Sequence, residues 1–148
     1  MKILIVYDSK YGNTKKVAEL IGEGIQKVEG NTVSVENVKE VNLEQDETLD
    51  LIVIGSPNQM GAHISSVKKF IKKLANAPLK VKNFAVFDTY LGKDFEKATR
   101  KMEKQIAKFL PNMKEVSSSL SIKVGGMKGP IVDNEIPKIK EFSVKLTK

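Results

Sequence analysis

Ser9, Lys10, Tyr11, Gly12, Asn13 and Thr14 carry the first chemistry that the chain offers. They follow a short apolar run, Ile3 to Val6, and precede apolar residues at helical spacing: Val17, Leu20, Ile21, Ile25 and Val28. A strand that turns directly into a helix leaves the first N–H groups of that helix without intrahelical partners. Those donors and the positive end of the helix dipole make a site for a phosphate. Ser9, Asn13 and Thr14 add side-chain hydrogen bonds, and Gly12 lets the backbone come close. The plainer reading is that Ser9 or Asn13 only caps the helix. The position favours the phosphate, because open α/β sheets take ligands at the carboxyl ends of their strands. The turn has neither the Gly-Lys-Ser/Thr ending of a nucleotide-triphosphate loop nor the Gly-x-Gly-x-x-Gly of a dinucleotide fold.

The pattern Ile5-Val6-Tyr7-x-Ser9-x-x-Gly12-x-Thr14-x-x-x-Ala18-x-x-Ile21 resembles the signature of the flavodoxin family at every specified position. The resemblance implies FMN as cofactor, with its phosphate at Ser9 to Thr14. It also implies that the turns after the third and fourth strands hold the flavin. The first of these, Gly55 to His63, contains Ser56, Pro57, Asn58, Gln59, Met60 and Gly61. In flavodoxins it wraps the isoalloxazine ring, and Gly61 is the residue whose peptide is expected to turn there. Taken alone, the same residues read as an ordinary strand–helix connection with a Ser-Pro turn. The second turn, Phe87 to Lys93, brings Asp88, Thr89, Tyr90 and Gly92. Thr89 and Gly92 are expected to offer backbone donors, and Tyr90 to stack on the ring or else to pack on the next helix. Lys128-Gly129-Pro130 is similar to short flavodoxin-like proteins. The aromatic side chain that many flavodoxins carry at the positions of Asn58 or Gln59 is absent.

Alternating strands and helices must position these turns. The strands are expected at Lys2 to Tyr7, Thr32 to Val38, Leu51 to Gly55, Asn83 to Asp88 and Ser117 to Val124. Leu51 to Gly55 is a continuous apolar run, as in a strand buried on both faces; Thr32 to Val38 alternates, as nearer an edge. Helices are expected at Asn13 to Val28, from Ile64 to about Asn76, and at Asp94 to Leu110, the last with Phe95, Met102, Ile106 and Phe109 on its buried stripe. Lys39 to Leu49 is acidic and weakly patterned, and is expected to form one or two helical turns. Asp133 or Asn134 caps a last helix, with Pro137 in its first turn and Ile136, Ile139, Phe142 and Leu146 inward. Such alternation implies α/β architecture with a parallel sheet and right-handed crossovers. The flavodoxin-like three-layer sandwich, with five parallel strands in the order 2-1-3-4-5, is what the resemblance implies. One domain is expected over residues 1–148.

Composition limits the function. There is no cysteine, so thiolate catalysis and iron–sulfur ligation are excluded, and a lone histidine, His63, builds no multi-histidine metal site. His63 is the one acid–base candidate near the turns, and is expected as a solvent-exposed residue at a helix N-terminus. No membrane span or secretory leader is expected, and the location is expected to be cytoplasmic. Net charge is +7, with Arg100 the single arginine among 25 basic residues. That composition disfavours specific nucleic-acid binding. From Ile64 to Lys114 the chain carries thirteen basic against four acidic side chains, which are either solvated helix faces or a docking surface for an acidic redox protein. Positive surroundings are expected to stabilise the negatively charged reduced flavin. The function expected is an FMN electron carrier between redox proteins. The alternatives are an FMN-dependent quinone or nicotinamide-nucleotide reductase, and a flavin-free interaction module.

Overall fold

The apolar residues of the first strand point to both sides, and each side acquires its own core. A computed structural model describes residues 1–148. Strand β1 (Lys2–Tyr7) sends Ile3, Ile5 and Tyr7 one way and Leu4 and Val6 the other. Strand β3 (Thr48–Gln59) divides its apolar residues in the same manner, Leu51 and Val53 against Ile52 and Ile54. One core packs Val17, Ile21 and Ile25 of helix α1 (Asn13–Gln26) and Ile139, Phe142 and Leu146 of α4 (Ile136–Leu146). The other packs Val67, Phe70, Ile71 and Leu74 of α2 (Ser65–Ala75) with Met102 and Ile106 of α3 (Lys97–Phe109). Both faces of the sheet are therefore covered, the arrangement expected of parallel strands.

Strand β2 (Thr32–Asn37) pairs with β1, β1 with β3, and β3 with β5 (Lys80–Tyr90), all parallel. Beyond β5 the edge is broken into β6 (Lys114–Glu115) and β7 (Leu120–Lys123), each parallel to β5. With β6 and β7 counted as one interrupted strand, this is the flavodoxin-like order 2-1-3-4-5. Tyr7, Gly55, Phe87 and Leu120 form one row across the sheet. None of the helices is long and apolar enough to cross a membrane.

Several expectations are corrected. Lys39 to Leu49 forms turns rather than helix, and its end belongs to β3. β3 runs to Gln59 and turns back at Met60-Gly61 into β4 (Ala62–His63), so the expected loop is a hairpin. β5 likewise continues to Tyr90. Phe95 precedes α3, which begins at Lys97, and is exposed; Phe109 is the last residue of α3 and is also exposed. The last helix follows a 3-10 turn, Asp133–Glu135, with no side-chain cap from Asp133 or Asn134.

The hairpin turn has φ of 53° at Met60 and 79° at Gly61. Positive φ at both central residues is the mark of a type I′ turn, in which Asn-Gly is favoured. A side chain such as methionine is strained there. Met60→Asn is therefore expected to stabilise the protein by about 0.5–1 kcal/mol, measured by urea unfolding; an unchanged midpoint would speak against strain at this turn.

Candidate functional site

The turn between β1 and α1 is held from below by Asp8. Its carboxylate accepts hydrogen bonds from the Ser9 N–H at 2.8 Å, the Asn37 amide at 3.2 Å and the Ser66 hydroxyl at 2.5 Å. Lys39 lies 3.7 Å away. Burial pushes the Asp8 carboxyl up, but these donors and Lys39 together hold it below the usual carboxylate range. Asp8 thus ties the turn to β2 and α2, a role that its sequence position did not disclose.

Ser9 does not cap the helix by reaching into its first turn. Its Oγ accepts from the Gly12 N–H at 2.9 Å, and Gly12, at φ 95°, swings the chain into α1. The first intrahelical bond runs from the Lys16 N–H to the Gly12 carbonyl. The backbone N–H groups of Lys10, Tyr11, Asn13, Thr14 and Lys15 have no protein partner. Thr14 is buried, and its hydroxyl meets that of Thr89 at 2.8 Å, joining α1 to the end of β5. The Asn13 amide lies under Gly129, where a Cβ would stand 2.4 Å from Oδ1. The loop after β7 thereby closes over the helix N-terminus, folded back by the Gly125 N–H to Pro130 carbonyl bond.

These turns surround a cavity of about 160 Å³. Ser9, Lys10, Tyr11, Asn13 and Thr14 line it from the first turn, Pro57, Asn58 and Gln59 from β3, and Thr89 and Tyr90 from β5. Six other residues named from the sequence lie off its walls. Gly12 shapes the first turn. Gly92, at φ 63°, shapes the turn after β5. Met60 is 95% exposed at the hairpin tip beside Gly61. Ser56 is wholly buried; its hydroxyl donates to the Pro57 carbonyl and accepts from the Ile64 N–H. Asp88 is also wholly buried, bonded to the Ser121 hydroxyl at 2.5 Å and the Thr99 N–H at 3.1 Å. Ile64, Leu91, Val124 and Met127 complete the cavity and escaped the sequence reading. Only Lys128-Gly129-Pro130, next to Met127, signalled that this loop takes part.

Tyr90 lines the cavity, and Phe95 packs edge-on against its ring at 5.6 Å. His63 is buried rather than exposed, because pairing with Asn58 in the hairpin turns it toward α3. Its Nε2 lies 2.6 Å from the Gln105 Oε1, while the Gln105 amide nitrogen donates to the Lys68 carbonyl. That second bond fixes the glutamine, so His63 donates from Nε2. Burial, against the Gln105 contact and together with Lys68 and Lys101, pulls its pKa below 6.5.

The donor set fits FMN. Five free N–H groups and Lys10 suit its phosphate. The Thr14 and Thr89 hydroxyls suit a polyol chain, and Pro57, Tyr90, Leu91 and Met127 suit a flat apolar ring. Asn58 donates to Asp94 at 2.7 Å, and its Oδ1 is buried with no partner. A buried acceptor without a donor is costly, and the ring N–H of a flavin supplies one.

Residues 4–125 match the family described as "Flavodoxin domain". A flavodoxin of Aquifex aeolicus is 41% identical over 69 residues, 47% of this chain. The match spans only 37% of that protein's length. The protoporphyrinogen IX dehydrogenase [quinone] of Escherichia coli K12 is 25% identical over 130 residues, 88% of this chain and 71% of its own. The solved structure of an archaeal flavodoxin, 26% identical, superposes with a TM-score of 0.81 over 99% of this chain and 96% of that one. Sheet order, phosphate turn and these likenesses agree, and the chain belongs to the flavodoxin family, whose cofactor is FMN.

Proposed function

We propose that the protein carries electrons between redox proteins through FMN held in this cavity. The flavin supplies the redox chemistry, and the chain supplies binding, orientation and electrostatics. The N–H groups from Lys10 to Lys15 hold the phosphate. Asp94, anchored by Lys97 at 3.0 Å, fixes the Asn58 amide beside the cavity. Pro57, Tyr90 and Leu91 keep water from the ring.

The observation that carries this reading is the ring of exposed apolar side chains around the mouth. Tyr11, Met60, Leu91, Phe95 and Met127 are 37–95% exposed, and they come from all the turns that form the cavity. An apolar centre with a polar rim is the anatomy of a protein docking surface. The exposed Lys10, Lys93 and Lys128 of these same turns favour a partner with an acidic face. A second reading, a flavin-dependent reductase, draws on the likeness to the E. coli quinone-linked dehydrogenase.

The test is a potentiometric titration of the FMN-loaded protein without oxygen, followed by a screen of quinones with NADH and NADPH. Two separated one-electron steps and no turnover support the carrier. A single two-electron step with nucleotide-dependent quinone reduction supports the reductase. Loss of FMN on gel filtration overturns both. Thr14→Val, which removes the Thr14–Thr89 hydroxyl pair, is expected to weaken FMN binding about tenfold, an effect of about 1.4 kcal/mol read by fluorescence quenching; unchanged affinity would remove Thr14 from the cofactor contacts.

A further inference from the structure

The end of the molecule away from the flavin cavity holds a second site. The C-terminal ends of α2 and α3 and the start of β5 border an open pocket of about 220 Å³. Eight of its eleven lining residues are apolar, among them Leu74, Leu79, Val81, Leu110, Met113 and Phe109, and Lys80 and Asn112 add polar surface. A volume of about 150 Å³ is enough to take up benzene, so this half-open pocket has room for a large apolar side chain. Phe109 is 36% exposed. The ammonium groups of Lys72 and Lys108 stand 5.9 and 5.5 Å from the centre of its ring.

The surrounding charge is mostly positive, with Glu103 of α3 and Glu115 of β6 the acidic exceptions. Lys68, Lys69, Lys72 and Lys73 of α2 and Lys104 and Lys108 of α3 are exposed, and none forms an ion pair. Lys68/Lys72, Lys69/Lys73 and Lys104/Lys108 are four apart, where like charges repel along a helix. On the opposite layer two of the lysines are partnered, Lys145 with Glu141 and Lys138 with Glu135, while Lys15, Lys16 and Lys140 are not. The helix C-termini favour Lys72, Lys73 and Lys108 in the last turns, but no carboxylate of this chain forms an ion pair with any of Lys68, Lys69, Lys72, Lys73, Lys104 and Lys108.

We propose that this end of the molecule docks an acidic protein segment, one large apolar side chain entering the cavity while flanking carboxylates meet the lysines. An apolar anchor in a pocket ringed by charge is how such interfaces concentrate their affinity and speed their encounters. A lipid surface fits less well. Val67, Phe70, Ile71, Leu74, Met102 and Ile106 are all buried, so α2 and α3 have no apolar face to enter a bilayer. Nucleic acid fits less well because the cations are lysines, without the bidentate geometry of arginine. The site lies at Lys80, and the flavin cavity at Tyr90, the other end of the 11-residue β5. That strand spans about 35 Å. A segment docked here leaves the flavin mouth free, so the site acts as a tether and not as the electron-transfer contact.

The test uses the full FMN-loaded chain and a fluorescein-labelled peptide with one tryptophan between two runs of three glutamates, followed by anisotropy at low salt. Binding is expected to weaken at least tenfold with Lys72→Glu/Lys108→Glu, with Phe109→Ser, and with a peptide whose tryptophan is replaced by alanine. FMN affinity of each variant, expected within twofold of the parent, shows that the fold is intact. Equal binding of the two peptides, or of parent and variants, overturns the proposal. So does tighter binding of vesicles of equal phosphatidylglycerol and phosphatidylcholine, or of a DNA duplex, when the same substitutions abolish it. Because the readout is peptide binding, it stands or falls separately from the assignment of FMN.

Discussion

Replacing Gly55 by alanine is expected to destabilise the protein by about 3 kcal/mol. Gly55 sits mid-sheet between Tyr7 and Phe87. A Cβ on it would stand 2.0 Å from Phe87 Cζ and 2.3 and 2.4 Å from the two Cε atoms. The benzyl ring therefore occupies the space that any side chain at position 55 needs. Phe87 is wholly buried and shares its core with Val17, Val53 and Ile122, so it has nowhere to retreat. Interiors are packed too tightly to absorb such a collision by small shifts. Urea unfolding of Gly55→Ala measures the loss. The double variant Gly55→Ala/Phe87→Leu is expected to recover part of it, since the collision goes while a moderate cavity appears. A loss below about 1 kcal/mol, or no recovery in the double variant, would show that the ring is not what excludes a side chain.

Asp88→Asn is expected to make the protein more stable as pH rises above about 4, most of all near pH 8. Burial pushes the Asp88 carboxyl from 3.8 up to about 7, against the Ser121 and Thr99 hydrogen bonds that favour the ionised form; Glu96 adds to the upward push. The folded state therefore holds this proton more tightly than the unfolded chain does. Below pH 3.8 both states are protonated and no penalty exists. Between 3.8 and 7 the folded state binds more protons, so stability falls as pH rises, and above 7 the full penalty applies. The interval corresponds to about 4 kcal/mol. An amide of the same shape keeps the Thr99 bond and never ionises. The difference in unfolding free energy between variant and parent is expected to grow from near zero at pH 4 to about 3–4 kcal/mol at pH 8. Asp8 slopes the other way, its depressed carboxyl contributing stability that is lost as pH falls through the acid range. That contribution is common to both proteins and cancels. Parallel pH profiles would sink the assignment.

The legible parts of the chain were those where one periodicity governs a whole element. β1, the first turn and α1 were readable because an apolar run and a 3.6-residue spacing meet at Ser9 to Thr14. The hairpin Asn58–His63 was not. Its arms are small and polar, and its turn uses Met60, which no turn preference selects. β3 continues there because Ser56 and Pro57 pair with Asp88 and Thr89 of β5. Pro57 is tolerated because β1 ends opposite Gly55, leaving that side of β3 without a strand. Phe95 and Phe109 kept the helical spacing but fell just before and at the very end of α3, where no core lies beneath. In the site, the donors were legible as residue types. The apolar wall made by Ile64, Leu91, Val124 and Met127 was not, since four residues from three separate segments share no spacing.

A sheet that ends in two short offset pieces gives a neighbouring chain little to pair with. Lys114–Glu115 and Leu120–Lys123 expose only two and four residues of ladder on that side, with charged residues in both. Short, charged edges are how β proteins avoid joining into fibres. The other border, Thr32–Asn37, is a continuous six-residue strand whose Val33 and Val35 side chains turn inward. Self-association of this protein through its backbone would thus begin at β2, and a proline or lysine placed there is the remedy if concentrated solutions gel.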